Sequence, residues 1–286
     1  MVIHFRSMFG AFLRWLINAW LYVTGKVVPY KGNEWLRGPM SDTEVIGGQF
    51  YERYAADRGL VIDKDHKDGL IGDFAALIPA TDPLKDKLHP RVRHFYEHTT
   101  QYKLEVWSQW YSPISFFSRI LIKSVSTRMD QLNIPLDPLE TSRGMTNDVL
   151  QLKDPATGAL VCACWLRRSI LSGRVVYAGF YSGVIIDGSP LVKVAFPLPN
   201  GNVTVLLRVV VQPDGSVKLI SRGRGIGDAG YYRVQKRDAD SVRLRYLPLK
   251  ESIHVYEDEH GTLRTDHLFS FWRFKFLHLH YKIMPV

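Results

Sequence analysis

From Val149 to the C-terminus, turn-forming residues recur at short intervals, and nothing between them is long enough for a helical crossover. The turns fall at Asp154-Pro155 with Gly158, Ser172-Gly173, Asp187-Gly188, Pro199-Asn200-Gly201-Asn202, Pro213-Asp214-Gly215, Asp238-Ala239-Asp240 and His260-Gly261. Gly and Pro interrupt regular structure, and Asn and Asp accept the backbone angles of tight turns. Between them lie β-branched and aromatic runs, about ten in number, from Val161–Leu166 to His278–Ile283. Parallel pairing needs a crossover of a dozen residues or more, whereas antiparallel neighbours need only a tight turn. The chain is therefore predicted to be α+β: N-terminal helices followed by a C-terminal antiparallel β meander closing into a barrel or strongly curved sheet.

Side chains alternate along a strand, so each run presents two faces. Leu263 to Phe276 reads as one strand, with Phe269, Phe271, Arg273 and Lys275 on one face and Leu268, Ser270, Trp272, Phe274 and Phe276 on the other. In the last run, Leu277, Leu279, Tyr281 and Ile283 oppose His278, His280 and Lys282.

The rest of the chain divides into residues 1–28, an amphipathic or apolar N-terminal helix, and 29–148, a linker and helical region packed on the β domain of 149–286. Polar or small residues Arg6, Gly10, Arg14 and Asn18 recur every fourth position, which makes a narrow stripe on an otherwise apolar helix. Arg14 leaves too short an apolar stretch to cross a bilayer. Trp15, Trp20 and the cations around them suit a helix lying in a membrane interface, or one docked on the protein's own body. A further helix is expected from Pro113 to Leu132.

The formal net charge is +9, and the basic residues stand singly in apparent strands rather than in a dense run, so nucleic acid is not an expected partner. The two cysteines, Cys162 and Cys164, are two residues apart in a strand, which suits neither an ordinary disulfide nor a structural zinc site.

Three motifs invite chemistry. His94-Phe95-Tyr96-Glu97-His98 matches the pattern of inverted zinc peptidases, but no further ligand stands on an obvious second helix. Asp63, Asp65, Asp68 and Gly69 approach a calcium loop in the wrong register. Gly225-Ile226-Gly227-Asp228-Ala229-Gly230 matches a dinucleotide fingerprint but leads into a strand, not a helix, and so reads as an inter-strand loop. No metal and no cofactor are expected.

The aromatic supply, 14 Phe, 14 Tyr and 7 Trp, would line a ligand cavity inside such a sheet. The expected function is binding or carriage of an apolar or amphiphilic small molecule near a membrane surface, at a cytoplasmic location and peripheral to the inner membrane face. The alternative is an enzyme, an isomerase, cyclase or hydrolase, acting on such a ligand in the cavity. Candidate acid–base groups are Asp266, His267 and Glu97. Candidate ligand-binding residues are Arg208, Tyr181, Trp165 and Trp272.

Phe95-Tyr96-Glu97-His98-Thr99-Thr100-Gln101-Tyr102, Val106-Trp107-Ser108-Gln109-Trp110, Phe196-Pro197-Leu198-Pro199-Asn200-Gly201 with Val203-Thr204-Val205, Leu263-Arg264-Thr265-Asp266-His267 and Leu279-His280-Tyr281 resemble segments of uncharacterised bacterial proteins of about this length. The resemblance runs from about residue 90 onward and brings no activity, site or substrate with it.

Overall fold

The structure, a computed structural model, describes residues 15–16, 18–64, 69–111, 126–136 and 144–286. The N-terminal run through residue 14, the acids Asp65 and Asp68, and most of the helix expected after Pro113 lie outside them.

Fourteen strands form among the described residues. In chain order they are β1 (Lys26–Pro29), β2 (Val61–Asp63), β3 (Tyr102–Trp110), β4 (Asp148–Lys153), β5 (Leu160–Arg168), β6 (Val175–Ile186), β7 (Ser189–Leu198), β8 (Gly201–Val211), β9 (Val217–Ile220), β10 (Gly230–Lys236), β11 (Ser241–Leu247), β12 (Leu249–Glu257), β13 (Leu263–Phe271) and β14 (Phe274–Pro285). Every ladder is antiparallel. The main path runs β2-β4-β5-β6-β7-β8-β9-β12-β13-β14-β3. Helices are few and stand among the strands, chiefly α1 (Phe50–Arg58) and α2 (Pro90–Glu97), which corrects the expected order of helices before strands: β1, β2 and β3 interleave with them.

The sheet forks at β8. Gly201–Leu206 pairs with β10, whereas Arg208–Val211 pairs with β9. The branch continues through β11 to β1. The glycine-rich loop makes the fork possible, because it turns the chain out of β9 and back to β8 as β10. A Cβ on Gly230 would sit 2.4 Å from the Tyr246 ring, and one on Gly223 would sit 2.2 Å from the Ala229 carbonyl. These glycines serve close approach of chain segments.

The hydrogen-bonded path does not return on itself, which corrects the expected barrel closure: the sheet is curled but open between its ends. Side chains fill that seam instead of a ladder. Arg167 on β5 donates to the Leu104 carbonyl of β3 at 3.2 Å, and Asn147 donates to the Tyr102 carbonyl at 2.8 Å. These two carbonyls are thereby satisfied on the side of β3 that has no neighbouring strand.

A second correction concerns Leu263 to Phe276, which is two strands joined by a turn at Trp272 and Arg273. A register shift beyond Phe269 then places Phe271 opposite Phe274 and Ser270 opposite Lys275. Phe271 and Phe274 thus share a face that the continuous alternation had separated.

One face of the sheet encloses the main apolar core, built from β3 through β14 and backed by α2. On the other face, α1 packs Phe50 and Tyr54 edge-on against Phe180. A third cluster joins Trp35 to Tyr232. The end of the N-terminal helical segment rests on β11, where Arg243 donates to the Tyr22 carbonyl at 2.7 Å and Arg245 to the Thr24 carbonyl at 3.2 Å. Cations suit the negative end of a helix. No helix among the described residues is long and apolar enough to cross a membrane.

Candidate functional site

The curled sheet surrounds a cavity of about 450 Å³ lined from β3 and β5–β14. That volume falls in the range of roughly 300–1,000 Å³ typical of small-molecule pockets. Its wall is overwhelmingly apolar and aromatic, and its few polar groups stand on alternate positions of otherwise apolar strands. On β13, Leu263, Thr265, His267 and Phe269 share the inward face, and on β12 Leu249, Glu251, Ile253 and Val255 do so.

His267 and Glu251 meet across this β12–β13 pair through a hydrogen bond between Nε2 and Oε1. The second carboxylate oxygen accepts a hydrogen bond from the Tyr231 hydroxyl at 2.7 Å. The Glu251 backbone N–H donates to Ser221 Oγ at 2.7 Å, which fixes the strand at the fork. Glu251 is 8% exposed, so its carboxyl group relies on these partners rather than on water for its hydrogen bonds.

Arg167 is the largest side chain that is almost fully buried. Besides Leu104 it donates to the Thr146 carbonyl at 3.3 Å and to the Tyr177 phenol, and its guanidinium lies 5.8 Å from the Trp165 ring centroid. No ion pair joins Arg167 to a carboxylate among the described residues. Among the described residues, the cavity wall therefore holds a guanidinium, bound to carbonyls and a phenol, apart from a carboxyl group bound to an imidazole and a phenol.

Burial pushes the phenols of the wall upward: Tyr177 to about 12, and Tyr181 and Tyr231 well above the ordinary value. All three hydroxyls stay protonated near neutral pH; the Tyr231 hydroxyl donates to Glu251, and those of Tyr177 and Tyr181 can donate to a ligand oxygen. Together the wall offers apolar area, a carboxylate–imidazole pair along which a proton can pass, phenolic donors and one guanidinium. Such a set can hold an apolar molecule with one oxygen function.

Of the expected residues, His267, Tyr181 and Trp165 face this cavity. Trp165 stands edge-on to Tyr177 and Tyr181, with centroids 5.9 and 5.7 Å apart, and donates its indole N–H to Asn147 at 2.5 Å. The other four lie elsewhere. Asp266 follows the pleat to the opposite face of β13, where His280 and His278 contact its carboxylate at 2.9 and 3.1 Å. Burial works to raise its pKa, but the bonds from His280, Tyr256 and His278 prevail and hold it below the usual carboxylate range. Glu97 ends α2 and is engaged by Arg93 and by the Phe74 backbone N–H at 2.8 Å. Its motif partner His94 contacts the Tyr102 hydroxyl at 2.8 Å, and His98 lies beyond the helix end. Arg208 points away from the cavity and pairs with Asp228 beside the glycine-rich loop. Trp272 stands at the β13–β14 turn and is 63% exposed.

Glu251, Tyr231 and Arg167 were not singled out from the sequence. A signal existed for Glu251: it shares its parity with Leu249, Ile253 and Val255, which places a carboxylate on an apolar face.

No protein-family model matches the chain, and no solved structure matches it. Among curated proteins it is similar to the uncharacterized membrane protein YndJ of Bacillus subtilis (strain 168), at 26% identity over 223 residues, which are 76% of this chain and 38% of that protein. The chain thus spans well under two thirds of this relative's length. The likeness agrees with the resemblance to uncharacterised bacterial proteins, although this relative is longer than expected, and it brings no substrate.

Proposed function

We propose that the chain binds an apolar or amphiphilic small molecule inside the curled sheet, which acts as a barrel for the ligand although its ladder is open. The cavity of about 450 Å³, apolar except for Glu251, His267, Arg167 and a few hydroxyl groups, carries this reading. A filled core would place side chains where this space lies. The acid, the imidazole and the phenols would orient the oxygen end of the ligand.

A position at the cytoplasmic side of a membrane, peripheral to it, belongs to the same proposal. The N-terminal segment buries Leu21 against the protein while Trp15, Trp20 and Val23 stay exposed. Trp at the surface beside Arg and Lys is the composition of an interfacial segment. The similar Bacillus protein is named as a membrane protein, which agrees with that placement.

The test is native mass spectrometry of the full chain purified gently, together with uptake of a fluorescent fatty acid. A co-purifying mass, and dye uptake that Leu207→Trp abolishes without loss of the cooperative melt, is expected. Absence of both would overturn the proposal.

The hydrogen-bonded Glu251–His267 pair favours one second reading, an enzyme that moves a proton within such a ligand. Comparison of lipid extracts after incubation with the native chain and with Glu251→Gln would decide it. Identical product profiles would remove it.

A further inference from the structure

The β13–β14 turn presents five consecutive exposed residues, Phe271, Trp272, Arg273, Phe274 and Lys275. Its three aromatics are 42%, 63% and 60% exposed in chain order, although aromatic side chains usually seek cover. Trp272 stacks on Phe271 with ring centroids 5.6 Å apart, so the aromatics form a preformed patch. Trp272 also has φ of +53°, a left-handed conformation that favours Gly or Asn. A bulky aromatic held there carries backbone strain. Its backbone N–H donates to the Pro248 carbonyl at 2.8 Å, which ties the tip to the β11–β12 corner.

The charge at the tip has one sign. Neither Arg273 nor Lys275 has a carboxylate partner among the described residues, and no acid occurs from Leu268 to Phe276. The adjoining corner, Leu247-Pro248-Leu249-Lys250, adds another cation and no acid. Immediately below the tip, Phe269 and Phe276 line the cavity with centroids 6.1 Å apart, and Trp110 stands 6.3 Å from Phe276. Along the hairpin, Phe269 stands two residues before Phe271 and Phe276 two residues after Phe274, so cavity-wall aromatics and tip aromatics are near neighbours in both strands.

We propose that this hairpin is a membrane-insertion finger that seats the cavity rim on an anionic bilayer. Exposed Trp and Phe beside unpaired Arg and Lys match a headgroup interface, where the rings enter the acyl boundary and the cations meet lipid phosphate. The aromatic track then gives an amphiphile a path from bilayer to cavity without full exposure to water. The finger is a site distinct from the N-terminal segment. Its lipid contact stands on its own if the cavity proves empty.

The full chain is tested on vesicles of phosphatidylglycerol and phosphatidylcholine and on vesicles of phosphatidylcholine alone. Native protein is expected to co-sediment with the anionic vesicles and to be released by salt. Trp272→Ser with Phe274→Ser lowers the partition coefficient by at least about tenfold. Arg273→Glu with Lys275→Glu removes the preference for anionic lipid. Both double variants keep the native melt and native dye uptake, which separates this failure from failure of the cavity reading. A fluorophore on Arg273→Cys, with the native cysteines buried, shifts to the blue on anionic vesicles. No vesicle binding, unchanged partition of both double variants, or an unshifted fluorophore on vesicle-bound protein would each overturn the proposal, and a soluble protein that binds the finger instead would do the same.

Discussion

The Tyr231 hydroxyl reaches Glu251 across the fork of the sheet, at 2.7 Å, and joins the β10–β11 branch to the main path. Removal of that hydroxyl leaves a buried carboxylate oxygen with one partner fewer. An unsatisfied buried group costs about 1–3 kcal/mol. Tyr231→Phe is therefore expected to lower the unfolding free energy by that amount in urea titration, with an unchanged slope. An unaltered midpoint would show that water or another hydroxyl replaces the bond.

Arg167 closes the seam by donating to Leu104 and Thr146. Arg167→Met keeps much of the length and apolar contact but leaves both carbonyls without these donors. A loss of roughly 2–6 kcal/mol is expected, from two unsatisfied groups together. Faster amide exchange should appear first in β3, because that edge strand has a ladder only to β14. Uniform acceleration over the whole sheet would show that Arg167 stabilises the fold globally rather than the seam.

The antiparallel class and most strand positions were legible because tight turns carry Gly, Pro, Asn and Asp, and those residues are visible one by one. The turn at Trp272-Arg273 has none of them, so one strand was read where two exist. Its left-handed angle is imposed by the ladder and the Pro248 contact, not by local preference. The pairing of β3 with β14 was illegible for another reason: partners such as Tyr102 and Pro285 lie far apart in sequence, and pairing leaves no local mark. The site was half legible. His267, Trp165 and Tyr181 have aromatic or imidazole rings in strands, whereas Arg167 and Glu251 look like ordinary solvent-facing charges until the sheet curls around them.

The glycine-rich motif supplies a sharp contrast between neighbours. A Cβ at Gly225 meets open space, while one at Gly230 meets the Tyr246 ring at 2.4 Å. Gly225→Ala is expected to leave the melt unchanged within about 0.5 kcal/mol. Gly230→Ala should cost about 1–3 kcal/mol, the usual penalty for overpacking. Calorimetry of the two variants separates them. If Gly225→Ala were the more damaging, the loop would need that glycine's freedom for a reason other than packing.

Lys193 gives the fold a distinctive pH dependence. It lies on the face of β7 away from the cavity, donates to the Arg37 carbonyl, and is 9% exposed. Burial lowers its pKa from the ordinary 10.5 to about 8, with Arg58 assisting and Cys162 opposing. The folded chain therefore holds this proton less tightly than the unfolded chain does. The penalty is fully present below pH 8 and is relieved as pH rises from about 8 toward 10.5. A difference of that size corresponds to about 3 kcal/mol. Cys162 acts in the opposite direction: burial raises its thiol from 9.0 to about 12, so stability falls above pH 9 as the unfolded thiol ionises. Comparison with Lys193→Met largely cancels the cysteine contribution. The variant should be more stable than the native chain at pH 7 by roughly 1–2 kcal/mol, because removal of the buried ammonium outweighs the lost bond to Arg37. Its advantage should shrink between pH 8 and 10.5. A constant difference across that window, in chemical denaturation at each pH, would show that Lys193 keeps its ordinary proton affinity in the folded chain.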